Sequence, residues 1–422
     1  MTHVLAAGLP LTIGLVLAVA AARAGRRPPL AAALAVGALL RLVLLVIAAR
    51  DGWQPYDLAE DFRSTADTVL DGRDPLVYLR EGGWHFLPFL AYVLAGQREL
   101  GELLGVPWSV VGRAVPILCD LALIPLVGRL AADPDKSGLR AFQYACAPVG
   151  VMVSAIHGQF APITLLLGVA ALVVARDGGH RAGRAHAAGI LVGFAVTSAS
   201  WAGLMLPGVL LALSGARSRL VAFVWTGVVP LVFLLSGCVF LGTPVGDLPA
   251  TLAKSLSTRP VVGDWGWTAV ATGGQQIVDP AYARPGLLIL AAGVLAAAWW
   301  WRRADPAVLT LALLLAFLIA THRFGAQYLA WPMPYLIALA GRATWPAVTV
   351  SGAWAAFGYL YTTRLDEYGW RDVHVWWAYS SLVVIALLVW ALPPRGPDSP
   401  RRSGSSDRGD RALKAAAQTP AP

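Results

Sequence analysis

The chain has 422 residues, of which 57% are hydrophobic and only 14% charged. Soluble domains of ordinary composition carry nearer a quarter charged residues, so that class is excluded. The formal net charge of +9 would suit nucleic acid, but the places where the basic residues fall argue against it.

Apolar runs of about 15–22 residues recur along the chain and predict an all-α, polytopic transmembrane protein. In order, spans are expected at 4–22, 30–49, 107–130, 140–156, 160–175, 187–199, 203–213, 220–241, 286–301, 306–320, 327–341, 344–361 and 375–392. Depending on how the short ones pair, that is about 11–13 crossings. The stretches at 187–199 and 203–213 are each too short to cross alone. They form either two half-helices meeting near Ser198–Gly203 or one long helix. Residues 1–392 then make one integral membrane domain. From Pro393 the chain is Pro, Gly, Ser, Arg and Asp with no apolar period, a disordered basic cytoplasmic tail by composition. Cys119, Cys146 and Cys238 each sit inside an apolar run. That spacing allows no disulfide or zinc framework and suits small buried hydrophobes.

Positive charge marks the cytoplasmic side. Short alternate loops hold Arg23, Arg26 and Arg27; Arg129, Lys136 and Arg140; Arg176, Arg181 and Arg184; Arg217 and Arg219; Arg302 and Arg303; and Arg342, and the tail adds more. The intervening loops are longer and poorer in Lys and Arg. The basic balance therefore reflects topology and contact with membrane lipids, with no role for nucleic acid. A cleaved signal at 1–22 would need basic residues before its apolar core, and none precedes Arg23.

With this topology the polar stretches fall on the outer face: 53–88, His157-Gly158-Gln159-Phe160, 242–285, His322-Arg323-Phe324 and 364–371. The first of these is a large extracytoplasmic loop dense in acid, with Asp57, Glu60, Asp61, Asp67, Asp71 and Asp74. Asp57 and Asp61 are four apart and share a helix face. A carboxylate partly desolvated at a membrane surface is a general base with a raised pKa. Asp61 is the first candidate and Asp57 the second. For Glu60, Asp67 and Asp71, and for Asp57 as the alternative to catalysis, the expected work is capping a helix over Phe62–Leu70 and its Gly72–Pro75 turn.

His322 and Arg323 end one apolar span where Gln327 and Tyr328 open the next. An Arg and a protonated His there suit a phosphate, or else they snorkel to the headgroups. Lys254 and Arg259 beside Trp265 and Trp267 suit a lipid-phosphate entrance and a sugar face, or interfacial anchoring. His157 and Gln159 contact sugar hydroxyls or close a hairpin. There is no GxGxxG and no P-loop, and the one Asp-x-Asp, Asp133-Pro134-Asp135, reads as a turn on the cytoplasmic side. No sugar-nucleotide, metal or other cofactor site is expected.

AEDFRSTADTVLDGRDPLVYL resembles the first-loop pattern of multi-pass bacterial mannosyltransferases of the GT-C superfamily. HGQF at 157–160, DWGWT at 264–268 and HRFGAQYLAWPMPY at 322–335 follow in the family order, and the last is the most specific. The resemblance spans roughly residues 30–390 and implies a GT-C fold in a bacterial plasma membrane with an extracytoplasmic active site. It implies inverting transfer of a sugar, mannose in these relatives, from a polyprenyl-phosphate donor to a glycolipid or glycan acceptor. By the same match Asp61 is the base, with Asp57 as the alternative. His322, Arg323, Arg259 and Lys254 hold the donor phosphate; His157, Gln159, Trp265, Trp267, Gln327 and Tyr328 contact sugar or acceptor. Two departures stand out: Ala161 follows HGQF where the family has an acid, and no Lys stands near Ala199. Two other classes fit the composition: a flippase or transporter of a lipid-linked precursor, with Arg41, Arg113 and Asp120 as its intramembrane ionisable groups, and an inactive envelope-assembly scaffold.

The topology is testable directly. A cysteine introduced as Ser64→Cys should react with an impermeant maleimide in intact cells, and Ser405→Cys should not. The reverse labelling would move the acidic loop to the cytoplasm and remove an external site.

Overall fold

A computed structural model of the chain describes residues 2–50, 54–79, 84–177, 182–256, 263–275 and 280–394. The described residues fold mainly into helices joined by turns and short irregular segments, and contain no strand. The tail from 395 lies outside them.

The apolar segments expected from the sequence are largely helical, but 327–341 is broken into a 3-10 turn, Ala326–Ala330, and a short helix, Met333–Leu339, in place of one span. Length then divides them. Val4–Arg23, Leu30–Arg50, Trp108–Leu130, Ala216–Phe240, Ala283–Trp301 and Glu367–Trp390 are long and apolar enough to cross a bilayer. Pro134–Ala145 with Pro148–His157, bent by 45°, make a seventh candidate. The protein is thus multi-pass, and among the described residues there are fewer full-length spans than the expected 11–13. Ala161–Arg176, Ser200–Ala212 and Pro306–Ala320 are shorter apolar helices.

Burial explains the division. Long helices turn apolar side chains outward: Leu5, Leu9 and Val16 on the first, Leu220, Phe223 and Val239 on Ala216–Phe240, and Leu287, Leu288 and Leu295 on Ala283–Trp301 are all exposed. Such surface marks contact with lipid or with another protein, and on helices of this length and composition it fits lipid. The short helices lie inside this ring. Pro306–Ala320 buries Leu309, Leu311, Leu313, Leu314 and Leu315, and Pro148–Met152 is buried along its whole length. A helix apolar all round belongs in such an interior. There a broken backbone meets protein partners, which lipid would deny it.

The 187–213 stretch shows the effect. The helix Ala182–Ser198 stops at Ala199, which is extended (φ −160°, ψ 127°), before a 3-10 turn Ser200–Met205 and the short helix Leu206–Ala212. Two pieces are therefore present, joined by an irregular turn. The Ser198 hydroxyl shares a 2.8 Å hydrogen bond with that of Thr164 and donates to Ala195 O. Gly189 and Gly193 let Ala182–Ser198 lie directly on Ala216–Phe240: a Cβ at Gly189 would come within 2.5 Å of Ala222 O, and one at Gly193 within 2.7 Å of Val229 Cβ. Small residues on one helix face are the usual means of close helix contact in membranes.

At one end of the bundle Arg129 pairs with Asp177 and Arg176 with Asp305. Asp133 there accepts from Asp135 N, the turn expected of that Asp-x-Asp. In the interior, Arg41 donates to Asp120 Oδ2 through Nε (2.9 Å) and Nη2 (2.6 Å), and through Nη1 to Gly37 O and Ala145 O. The hydroxyls of Tyr144 and Ser154 complete Asp120 at 2.6 and 2.9 Å. One network thus ties Leu30–Arg50 to Trp108–Leu130 and to the segments carrying residues 144, 145 and 154.

Removing one partner of such a pair leaves the other charge buried and unmatched, at a cost of about 3–5 kcal/mol. Asp120→Asn should lower stability by that order in detergent unfolding assays. The double change Arg41→Met with Asp120→Leu should recover much of the loss. If Asp120→Asn unfolds like the wild type, the pair contributes nothing and the helices are held by packing alone.

Candidate functional site

The first loop docks through an apolar face. On Phe62–Leu70, Phe62 and Ala66 are buried with Leu58, Leu76, Trp84, Leu90 and Leu94 against Phe160. Phe160 is the hub: its ring centroid lies 5.2 Å from Phe62 and 4.6 Å from Phe86. The expected helix is present, but neither Asp57 nor Glu60 caps it. Residues Asp57–Asp61 instead wind a π turn that runs into it, and the N-cap position, Tyr56, makes no side-chain cap bond. Asp74 caps a separate short helix, Pro75–Tyr78, where its Oδ1 accepts from Leu76 N at 2.9 Å.

A second π turn, Val153–His157, faces the first. Single π turns inside helices are frequent at functional sites. Here the two turns bring Asp57 and His157 together, with His157 Nε2 3.1 Å from Asp57 Oδ2. Gln159 Nε2 donates to the same oxygen at 3.2 Å. Gly158 makes this possible. It is left-handed (φ +70°), and a Cβ there would lie 2.8 Å from Arg113 Cγ. Reversing the chain at that point aims the residues on both sides at one carboxylate. Gln159 Oε1 accepts from Phe160 N at 3.0 Å, which fixes the amide with its NH2 toward Asp57. His157 Nδ1 meets the Tyr359 hydroxyl at 2.8 Å. With Asp57 ionised, Nε2 carries the proton, and in the neutral ring Nδ1 accepts from Tyr359.

Arg113 holds the second turn from behind. Its Nε and Nη2 donate to Ile156 O at 2.9 and 2.7 Å, and Nη1 donates to Gln54 Oε1 at 2.8 Å and to Ser109 O. The side chain is fully buried. Its charge is spent on carbonyl oxygens beside His157.

Burial pushes the Asp57 carboxyl pKa up. The hydrogen bond and charge of His157, a backbone N–H and the charge of His85 outweigh it, and the net shift is below the ordinary 3.8. The raised pKa expected of a desolvated base is therefore corrected to a lowered one. The carboxylate remains reachable, with 37% of its side-chain surface exposed. Asp61 lies half-buried at the end of the same π turn.

Other expected site residues divide. Tyr328 lies within electrostatic reach of both Asp57 and Arg323. Arg323 is half-buried, and its Nε has no hydrogen-bond partner among the described residues. Burial lowers its pKa, yet a guanidinium keeps its charge. His322 packs its ring on Gly286, where a Cβ would fall 2.3 Å from its Cγ. Burial and the Arg323 charge hold the His322 pKa below its ordinary 6.5, so it is neutral at pH 7 and the expected cationic His is corrected. Gln327 is half-buried with its amide folded over Gly325.

Trp265 has no exposed surface. It stacks on Phe324 at 3.7 Å and donates to Leu318 O at 2.7 Å, so it serves the core and presents no face to a sugar. Trp267, half-buried, donates to Ala320 O at 3.1 Å. Beside them, burial pushes the Asp264 carboxyl up to about 7. Lys254 belongs to the helix Leu248–Leu256, but its side chain, like the whole of Arg259, lies outside the described residues.

Tyr359 and His85 were not legible as site residues. Tyr359 sits in an apolar span and reads as packing; its one signal is a phenol near the span's polar end. No family model matches the chain, and no curated protein matches it either.

The Asp57 shift carries a pH signature. A carboxyl depressed on folding adds stability that is present above the unfolded pKa and is lost as pH falls through the folded value. Wild type should therefore exceed Asp57→Asn in thermal stability at pH 5–7, and the gap should close below pH 3.8. A gap that stays constant down to pH 3 would mean that the charge on Asp57 is not what His157 holds.

Proposed function

We propose that the chain is an integral membrane glycosyltransferase, using a polyprenyl-phosphate sugar at the outer face of a bacterial plasma membrane. Mannose is the sugar favoured by the resemblance, and a glycolipid or glycan is the acceptor. One observation carries the reading: a reachable carboxylate, kept ionised by His157 and hydrogen-bonded by Gln159, lies within electrostatic reach of Tyr328, and so does an arginine whose Nε has no hydrogen-bond partner among the described residues. A base and an anion-binding donor are the two groups such a transfer needs.

In the proposed reaction an acceptor hydroxyl attacks the anomeric carbon from the face opposite the phosphate. The new C–O bond forms as the anomeric carbon–phosphate oxygen bond breaks, which inverts the centre. The hydroxyl proton passes to Asp57, and polyprenyl phosphate leaves with the electron pair of the broken bond. Arg323 stabilises the charge growing on that phosphate. A carboxylate of lowered pKa is a weak base toward an alcohol. Proton transfer is accordingly late, once bonding to an oxocarbenium-like centre has made the hydroxyl acidic. His157 and Tyr359 hold the carboxylate ionised and in place.

The motif match favours Asp61 as the base, whereas the hydrogen bonds from His157 and Gln159 favour Asp57, which takes the role in this reading. A flippase needs ionisable groups along a path. Arg41 and Asp120 are consumed by each other, and Arg113 by carbonyls, which disfavours that class. A scaffold has no need of a built carboxylate cluster.

Removing the base while keeping its shape is the decisive test. General-base catalysis is typically worth about 10²–10⁴ in rate. Asp57→Asn should lose transfer from a polyprenyl-phosphate sugar by that order while the protein still accumulates in the membrane. Asp61→Asn should lose far less. A reversed order would return the role to Asp61, and near-normal transfer in both would leave the reaction without a base.

A further inference from the structure

The Asp74-Pro75-Leu76-Val77-Tyr78 stretch does more than turn the chain. Asp74 is 2% exposed and uses both oxygens, Oδ1 on Leu76 N and Oδ2 on the Thr243 hydroxyl. One buried carboxylate thus fastens the 242–247 turn onto the first loop. Between the two lies a cavity of about 320 Å³ lined by Val77, Tyr78, Gly242, Thr243, Pro244 and Asp247. Gly242 on this wall is left-handed (φ +68°), a backbone conformation that glycine adopts without strain.

We propose that this cavity is a carbohydrate-binding subsite. Its volume is at the small end of the range of ligand pockets, roughly 300–1,000 Å³, and fits one or two sugar rings. Tyr78 is 53% exposed; the Arg73 guanidinium, its charge paired with Asp71, lies over one face of the ring, 5.7 Å from the centre. An aromatic face of this kind takes the C–H face of a sugar. Asp247 is exposed, and an ionised carboxylate accepts from paired hydroxyls. Its charge also repels phosphates and other anions. Ring face, acceptor pair and repulsion of anions together select a neutral, hydroxyl-rich ligand.

The cavity shares a support with the carboxylate cluster. Leu76, adjacent to Val77 on the cavity wall, packs in the same apolar cluster as Leu58 and Phe160, the neighbours of Asp57 and Gln159. Under the glycosyltransferase reading, on which this role rests, the subsite seats the acceptor's sugar headgroup; binding itself needs no catalysis.

The test is equilibrium binding of mannotriose, maltotriose and cellotriose to the full chain in phosphatidylglycerol nanodiscs. Wild type and Asp57→Asn should bind at least one trisaccharide alike. Tyr78→Ala and Asp247→Asn should bind it at least tenfold more weakly, and Tyr78→Phe should match the wild type. Tighter binding of the octyl glycoside than of the free trisaccharide assigns the ligand to a glycolipid headgroup, and equal binding assigns it to a soluble glycan. Binding of none of the three, equal binding by every variant, or displacement of the trisaccharide by choline overturns the subsite. Loss of transfer in Asp57→Asn without saccharide binding overturns the subsite and spares the enzyme; saccharide binding without transfer supports the subsite and sinks the enzyme.

Discussion

A backbone inside a bilayer must satisfy its own hydrogen bonds or find protein to do so, and this constraint organises the molecule. Long uninterrupted helices meet the lipid with exposed Leu, Val and Phe. The departures from regular helix that matter are the π turn at 57–61 in the first loop, the buried π turn at 153–157, the 3-10 turn after Ala199 and the Thr321–Trp331 passage. These irregular segments carry the side chains of the candidate site. A break in a helix frees carbonyls and amides, and in this interior they are used to aim functional groups.

Three arginines are treated differently, and the contrast separates structure from chemistry. Arg41 meets a carboxylate in a network closed by Tyr144 and Ser154. Such a network can fix helix register but offers nothing to a ligand. Arg113 has carbonyls for partners and steadies the turn that presents His157. Arg323 alone of the three retains a buried donor without a partner among the described residues. Tyr328 lies within electrostatic reach of both Arg323 and the Asp57 carboxylate.

Aromatic stacking joins the segments that bear these groups. Trp377 stacks on Trp354, Trp354 meets Trp265 edge-on, and Trp265 stacks on Phe324. Phe324 reaches Tyr328, which stacks on Trp331, and Trp331 stacks on Trp201. Rings on distant parts of the chain thereby form one continuous file through the interior. Offset and edge contacts of this kind add about 0.5–1.5 kcal/mol each beyond area burial. The file holds the 321–331 passage, and hence Arg323 and Tyr328, at a set distance from the long helix that ends the described chain.

What the sequence determined by itself was class and alphabet. Apolar runs specified helices and a membrane setting, because the cost of burying backbone in lipid depends on composition and length alone. It also marked the polar stretches at 53–88, 157–160 and 322–328, since charge in an oily chain requires a partner wherever it lies. Tertiary structure decided the rest. Asp57 and Asp61 differ little as letters, and only the opposing π turn, reversed at Gly158, brings His157 and Gln159 onto Asp57. Trp265 reads as an interfacial or sugar-facing ring until its stacking on Phe324 places it in the core. Tyr359 reads as span packing until it meets His157. Local pattern measures how a residue partitions between oil and water; which carboxylate is held, and which ring is spent on packing, depends on neighbours far away along the chain.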